Sequence, residues 1–146
     1  MKNQDFTITL WAEQTPEKIF PTILDVKAWW SGLHNELFEG SSEKPGDEFS
    51  FLAGGGAHYT KQKMIALVPN RKVTWLVTEA TLSFVDTPDE WEGTTICFEL
   101  SQESGKTKIV FTHIGLVPEL ACYNSCAPAW TQYLQERLSA AIAKTN

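Results

Sequence analysis

The feature that most constrains this chain is a change of hydrophobic period near its C-terminal end. Before residue 114 apolar side chains recur at every second position: Phe6, Ile8 and Leu10; Val73, Trp75 and Val77; Ile96, Phe98 and Leu100; Ile109 and Phe111. From Pro128 onward they recur at every third or fourth: Trp130, Tyr133, Leu134, Leu138, Ala141 and Ile142. A period of two presents one face of a strand and a period of 3.6 one face of a helix, so several half-buried strands precede a single amphipathic helix. Fifteen residues of that helix span roughly 22 Å, enough to cross a small sheet. Strands that follow one another without intervening helices pair antiparallel, so the expected class is α+β: a curved antiparallel sheet wrapped around a long C-terminal helix.

Two short helices are expected after the first strand. Thr15-Pro16-Glu17 reads as an N-cap, a proline in the first turn and an acid beside the helix dipole, with Ile19, Phe20, Ile23 and Leu24 as the apolar face and Pro21 as an internal bend. Asp25 to Trp30 adds another helical turn that stops at Ser31-Gly32. Glu43 to Asp47 is a turn, Phe49 and Phe51 lead a strand, and Gly54-Gly55-Gly56 forms a mobile hairpin tip before a longer strand over 58–68. Val68 to Arg71 and Glu103 to Lys106 are further turns, while 79–93, acidic and interrupted by Pro88, reads as a loop with strand fragments.

With 146 residues the chain suits one domain, 1–146. Its net charge of −6 and lack of any Lys/Arg run exclude the phosphate neutralisation that nucleic-acid binding requires. No stretch approaches a membrane span and none resembles a leader, so a cytoplasmic location is expected. Cys97, Cys122 and Cys126 form no C-x-x-C pair and read as reduced thiols.

Several segments stand in a recognisable order: Thr15-Pro16-Glu17-Lys18-Ile19-Phe20, Trp29-Trp30, Pro45-Gly46-Asp47-Glu48-Phe49, Pro69-Asn70-Arg71-Lys72-Val73, Thr112-His113-Ile114-Gly115-Leu116 and Ala129-Trp130-x-x-Tyr133-Leu134. In this order the chain resembles the SRPBCC superfamily of START-like and Bet v 1-like proteins, and within it the activator-of-Hsp-90-ATPase homologue branch. The resemblance implies a helix-grip fold with a cavity between sheet and terminal helix, suited to a lipid, an isoprenoid or a polyketide-like molecule. The co-chaperone that names the branch carries an additional N-terminal domain, whereas this chain opens on its first strand, so a chaperone partner is not expected.

The candidate ligand-binding set is Trp30, Phe49, Phe51, Trp75, Phe98, Phe111 and Trp130, all at periodic apolar positions, with His113 and Tyr133 as polar anchors. Six Trp and eight Phe are more ring surface than a minimal core needs, although bulky core packing would also use them. His113 shares the parity of Ile109 and Phe111 and so points inward, either as an acid or base or as a satisfied structural histidine; His58 carries no stronger signal. Cys122 and Cys126 would share a helix face, but a structural zinc needs four ligands and the other candidates are scattered, so no metal and no cofactor is expected. Glu90, Glu92 and Glu99 read as solvated carboxylates.

Three functions follow. The first is binding of a hydrophobic or amphipathic small molecule. The second is a cofactor-free enzyme of the cyclase or dehydratase type that uses His113. The third is a protein-binding module, co-chaperone-like or a homodimer, presenting an apolar patch, with Trp11, Trp29 and Trp91 as its exposed aromatic candidates.

Overall fold

The computed structural model describes residues 5–145. Seven strands, β1 (Phe6–Ala12), β2 (Leu37–Gly40), β3 (Glu48–Ala53), β4 (His58–Val68), β5 (Lys72–Leu82), β6 (Thr95–Glu103) and β7 (Lys106–Ile114), form one sheet in the order β1-β7-β6-β5-β4-β3-β2. Every neighbouring pair is antiparallel. Helices α1 (Pro16–Leu24) and α2 (Val26–Trp29) follow β1, and the chain ends in α3 (Tyr123–Gln132), one turn of wider π-type winding (Tyr133–Leu138), and α4 (Ser139–Ala143), a continuous helix of 21 residues. This is the helix-grip arrangement. Among the described residues no helix is long and apolar enough to cross a membrane.

The sheet bends where the β4–β5 pairing is irregular: Thr78 of β5 is the extra residue beside Lys61 and Gln62, and Ile65 of β4 the extra residue between Met64 and Ala66, each raising the local twist. On its concave face Phe49, Phe51, Trp75, Phe98, Ile109 and Phe111 meet Trp130, Leu134, Leu138 and Ile142 from the helix. The rings interlock: Trp29 meets Phe98 edge-on at 5.4 Å, and Phe111 tilts against Trp130 at 4.7 Å.

Two expectations are corrected, one is made definite, and one strand is added. The strand fragment expected within 79–93 is the end of β5, which continues to Leu82 and only then turns. Trp29 and Trp91 are buried rather than exposed, leaving Trp11 as the half-exposed indole of that trio. The terminal helix starts at Tyr123, five residues before Pro128; the proline sits inside it and offers no N–H to the carbonyl of Asn124, an exposed residue. Strand β2 had no periodic signature, because its four residues pair along one edge with little burial.

β6 begins only at Thr95, opposite Leu76, whereas β5 runs on to Leu82 beside β4. The sheet therefore splays at one end, and residues 83–93 fold back into the gap. Ser83 N donates to Ala57 O and Leu82 N to Pro88 O, and the Glu92 carboxylate accepts from Ala80 N at 3.2 Å.

At the edge, Gly40 has φ +102°, and a Cβ there would lie 2.2 Å from the Glu48 carbonyl oxygen. Gly46 has φ +91° with open space around it. Gly40→Ala is expected to cost more than about 2 kcal/mol, combining backbone strain with that clash, and Gly46→Ala only about 1 kcal/mol. Urea unfolding of both variants measures the difference.

Candidate functional site

The splayed end holds a cleft of about 280 Å³ between sheet and terminal helix. Trp30, Phe51, Trp91 and Trp130 make its walls, His58 and Tyr133 bring polar atoms, and Phe84 stands at the rim, 45% exposed. Each wall is fixed by its own element. Trp30 ends the α2 turn and stacks on Phe51 of β3 at 4.2 Å and 17°. Trp130 projects from α3 and lies 4.8 Å from Trp30. Trp91, from the folded-back segment, stacks parallel to Trp130 at 6.1 Å and 12°.

Trp91 is held from both sides. Its indole N–H donates to Cys122 Sγ at 3.1 Å, and the carboxylate of neighbouring Glu90 accepts from Ala121 N and Cys122 N at 2.9 and 2.8 Å. Glu90 thus caps the start of the terminal helix, where backbone N–H groups lack helical partners. Cys126 lines the cleft, and its thiol is pushed well above the usual range by its contact with Cys122 and by burial, so it stays protonated and is a poor nucleophile.

His113 is fully buried behind Trp91, whose ring meets it edge-on at 4.5 Å. Trp130 Nε1 donates to His113 Nδ1 at 3.0 Å. An indole N–H can only donate, so the neutral imidazole carries its proton on Nε2 and gives it to Thr94 Oγ1 at 2.8 Å. Thr94 in turn donates to Trp91 O at 2.6 Å. Both nitrogens are occupied, and burial pushes the His113 pKa down to about 3.

The Tyr133 hydroxyl donates to Glu36, whose carboxylate also accepts from the backbone N–H groups of Gly32, Leu33 and His34. Partial burial opposes ionisation of Glu36, but the Tyr133 and backbone bonds outweigh it and hold the carboxyl below its ordinary range. Burial and that same carboxylate raise the Tyr133 phenol, which stays protonated.

Of the sequence-derived ligand set, Trp30, Phe51, Trp130 and Tyr133 line the cleft. Phe49, Trp75, Phe98, Phe111 and His113 do not; they are buried in the interior beneath it. Sequence reasoning gave His58 no stronger signal than His113 and took Trp91 as an exposed aromatic, so neither stood in that set. His58 opens β4 on the inward parity of Thr60, Gln62 and Met64, a signal available in the pattern. Trp91, in an irregular acidic stretch, had none. Among the described residues no cluster of His, Cys, Asp and Glu could hold a metal ion.

A model of the family described as activator of Hsp90 ATPase homolog 1-like protein matches residues 13–143. No curated protein gives a significant match. Among solved structures, the chain is similar to the Aha1 dimer from Colwellia psychrerythraea at 24% identity, with 96% of each chain covered and a TM-score of 0.71. It is similar to a Mesorhizobium loti protein at 17% identity, covering 96% of this chain and 98% of that one, with a TM-score of 0.72. A Chromobacterium violaceum protein matches at 19% identity, with 94% and 96% covered and a TM-score of 0.64. At these identities the likeness carries the fold.

The buried imidazoles predict an acid sensitivity. Burial lowers His113 to about 3 and His58 to about 4, against 6.5 when exposed, so between these values the unfolded chain binds more protons. Stability is fully present above about pH 6.5 and falls as pH drops, approaching about 1.4 kcal/mol per pH unit for each imidazole. Glu36 and Asp47, both lowered from 4.5 and 3.8, lose their contributions only below those values. Urea unfolding at pH 7.5, 6.0 and 5.0 should show the loss. His113→Leu should lower stability at pH 7.5 by about 1–3 kcal/mol, because the Trp130 N–H is left without an acceptor, and should flatten the pH slope.

Proposed function

We propose, for a chain that belongs to the activator of Hsp90 ATPase homolog 1-like family, that it binds a hydrophobic or amphipathic small molecule between its sheet and terminal helix. The observation that carries this reading is the cleft of about 280 Å³, walled by the rings of Trp30, Phe51, Trp91 and Trp130. An apolar, largely pre-formed concavity with a few polar atoms has the anatomy of a small-molecule site. The ring stacks keep these walls in place without a ligand, so little ordering cost falls on binding.

Support for proton transfer by His113 is lacking. A general acid or base needs a nitrogen within reach of the substrate, and both of His113's are engaged behind the Trp91 ring. Cys126 and Tyr133, which do line the cleft, are both held protonated.

Ala129 lies on the helical wall of the cleft and is half-buried. Ala129→Phe should fill the space from a partly buried position at the edge of the core. Saturation-transfer NMR with a set of one- to three-ring apolar molecules should show binding to the wild-type protein, and at least tenfold weaker binding to the variant at an unchanged thermal midpoint. Binding that survives the substitution would place the ligand elsewhere.

A further inference from the structure

We propose that the cleft takes an uncharged, flat molecule of about two fused rings bearing a hydroxyl group, and that this hydroxyl hydrogen-bonds to Nε2 of His58. The inference deepens the small-molecule reading above and rests on it.

Size comes first. A dry apolar cavity of about 150 Å³ takes up benzene, so about 280 Å³ leaves room for a second ring and cannot enclose a long acyl or isoprenoid chain. Shape follows from the walls. Trp30 lies nearly parallel to Phe51 and Trp91 nearly parallel to Trp130, so the lining is made of flat ring faces and edges that pack best against another flat ring.

The polar anchor is sought among lining groups that no side-chain bond commits: the Trp30 N–H, which can only donate, His34 and Ser125, which are exposed, and the enclosed ring of His58. The Tyr133 hydroxyl is bound to Glu36, the Trp91 N–H to Cys122 Sγ and the Trp130 N–H to His113. His58 differs. Its ring is held by Phe51 at 5.3 Å, Trp91 at 4.9 Å and Phe84 at 6.2 Å, yet the imidazole has no hydrogen-bond partner within the protein. Nδ1 is the fully enclosed nitrogen, which leaves Nε2 as the one that faces the open cleft. A hydroxyl both donates and accepts, so it satisfies Nε2 in either tautomer.

Charge removes the acidic ligands. No Lys or Arg lines the cleft, and the ionised Glu36 sits directly behind Tyr133. Burial lowers His58 to about 4, so near neutral pH it offers no cation to a carboxylate. An anionic ligand would lose its hydration and gain no counter-charge.

The test is calorimetric titration at pH 7.5 with naphthalene, 2-naphthol and 2-naphthoate, on the wild-type protein, His58→Phe and His58→Gln. A buried hydroxyl without a partner weakens binding, because its bonds to water are lost. The wild-type protein should therefore prefer 2-naphthol over naphthalene. In His58→Phe the ratio of the two affinities should fall by about tenfold, the equivalent of one net hydrogen bond, and His58→Gln should retain part of it. 2-Naphthoate should bind at least tenfold more weakly than 2-naphthol. A wild-type protein that binds 2-naphthol no more tightly than naphthalene would overturn the proposal whatever the variants do. So would a ratio unchanged in His58→Phe, or a naphthoate that binds as well as the naphthol. If none of the three binds, the small-molecule reading itself falls, and this inference with it.

Discussion

Much of this structure depends on one neutral imidazole. His113 accepts from the Trp130 indole of the terminal helix and donates to Thr94, whose hydroxyl returns to the backbone of Trp91. Four parts of the chain meet at that ring: β7, the approach to β6, the folded-back 83–93 segment and α3. At zero exposure an unmet donor or acceptor would be costly, whereas a network satisfied throughout specifies one arrangement. The position of Trp130 is therefore set by a directional bond as well as by packing. Trp130 in turn is the ring against which Trp30 and Trp91 lie.

The cleft follows from where the sheet stops being continuous. β5 and β4 extend past the point where β6 begins, and the helix above them cannot cover both halves of a splayed sheet. Trp91 fills one part of the gap. The remainder is a space with aromatic walls. The π-type turn at Tyr133–Leu138 lies beside this region, as departures from regular winding often do near functional sites. Glu36 gathers three backbone N–H groups and the Tyr133 hydroxyl, tying the loop after α2 to the helix at the edge of the cleft.

Parity along the strands was a sound guide to which side chains face inward. Phe49, Phe51, Trp75, Phe98, Phe111 and His113 are all buried on the concave face, as their alternation implied. Parity cannot say what an inward residue meets. Phe51 meets open space and Phe49, two residues earlier, meets Trp75 and Trp30. His113 and His58 read alike in the sequence; one has both nitrogens engaged and the other has neither. Trp91 could not be placed from its neighbours because its burial is arranged by Glu90 and Cys122, a contact across 31 residues.

The sequence by itself determined the class and order of the fold: the strands other than β2, the paired short helices, the long terminal helix and the face that each turns inward. Those properties are local, since side-chain period and turn chemistry act within a few residues of the chain. Only the tertiary structure decided which inward rings became core and which became cleft, and which histidine was left with an uncommitted nitrogen. A cleft is the space that remains where elements distant in sequence fail to meet, and a hydrogen bond is consumed or left open by a partner many residues away. Neither is a property of any one segment.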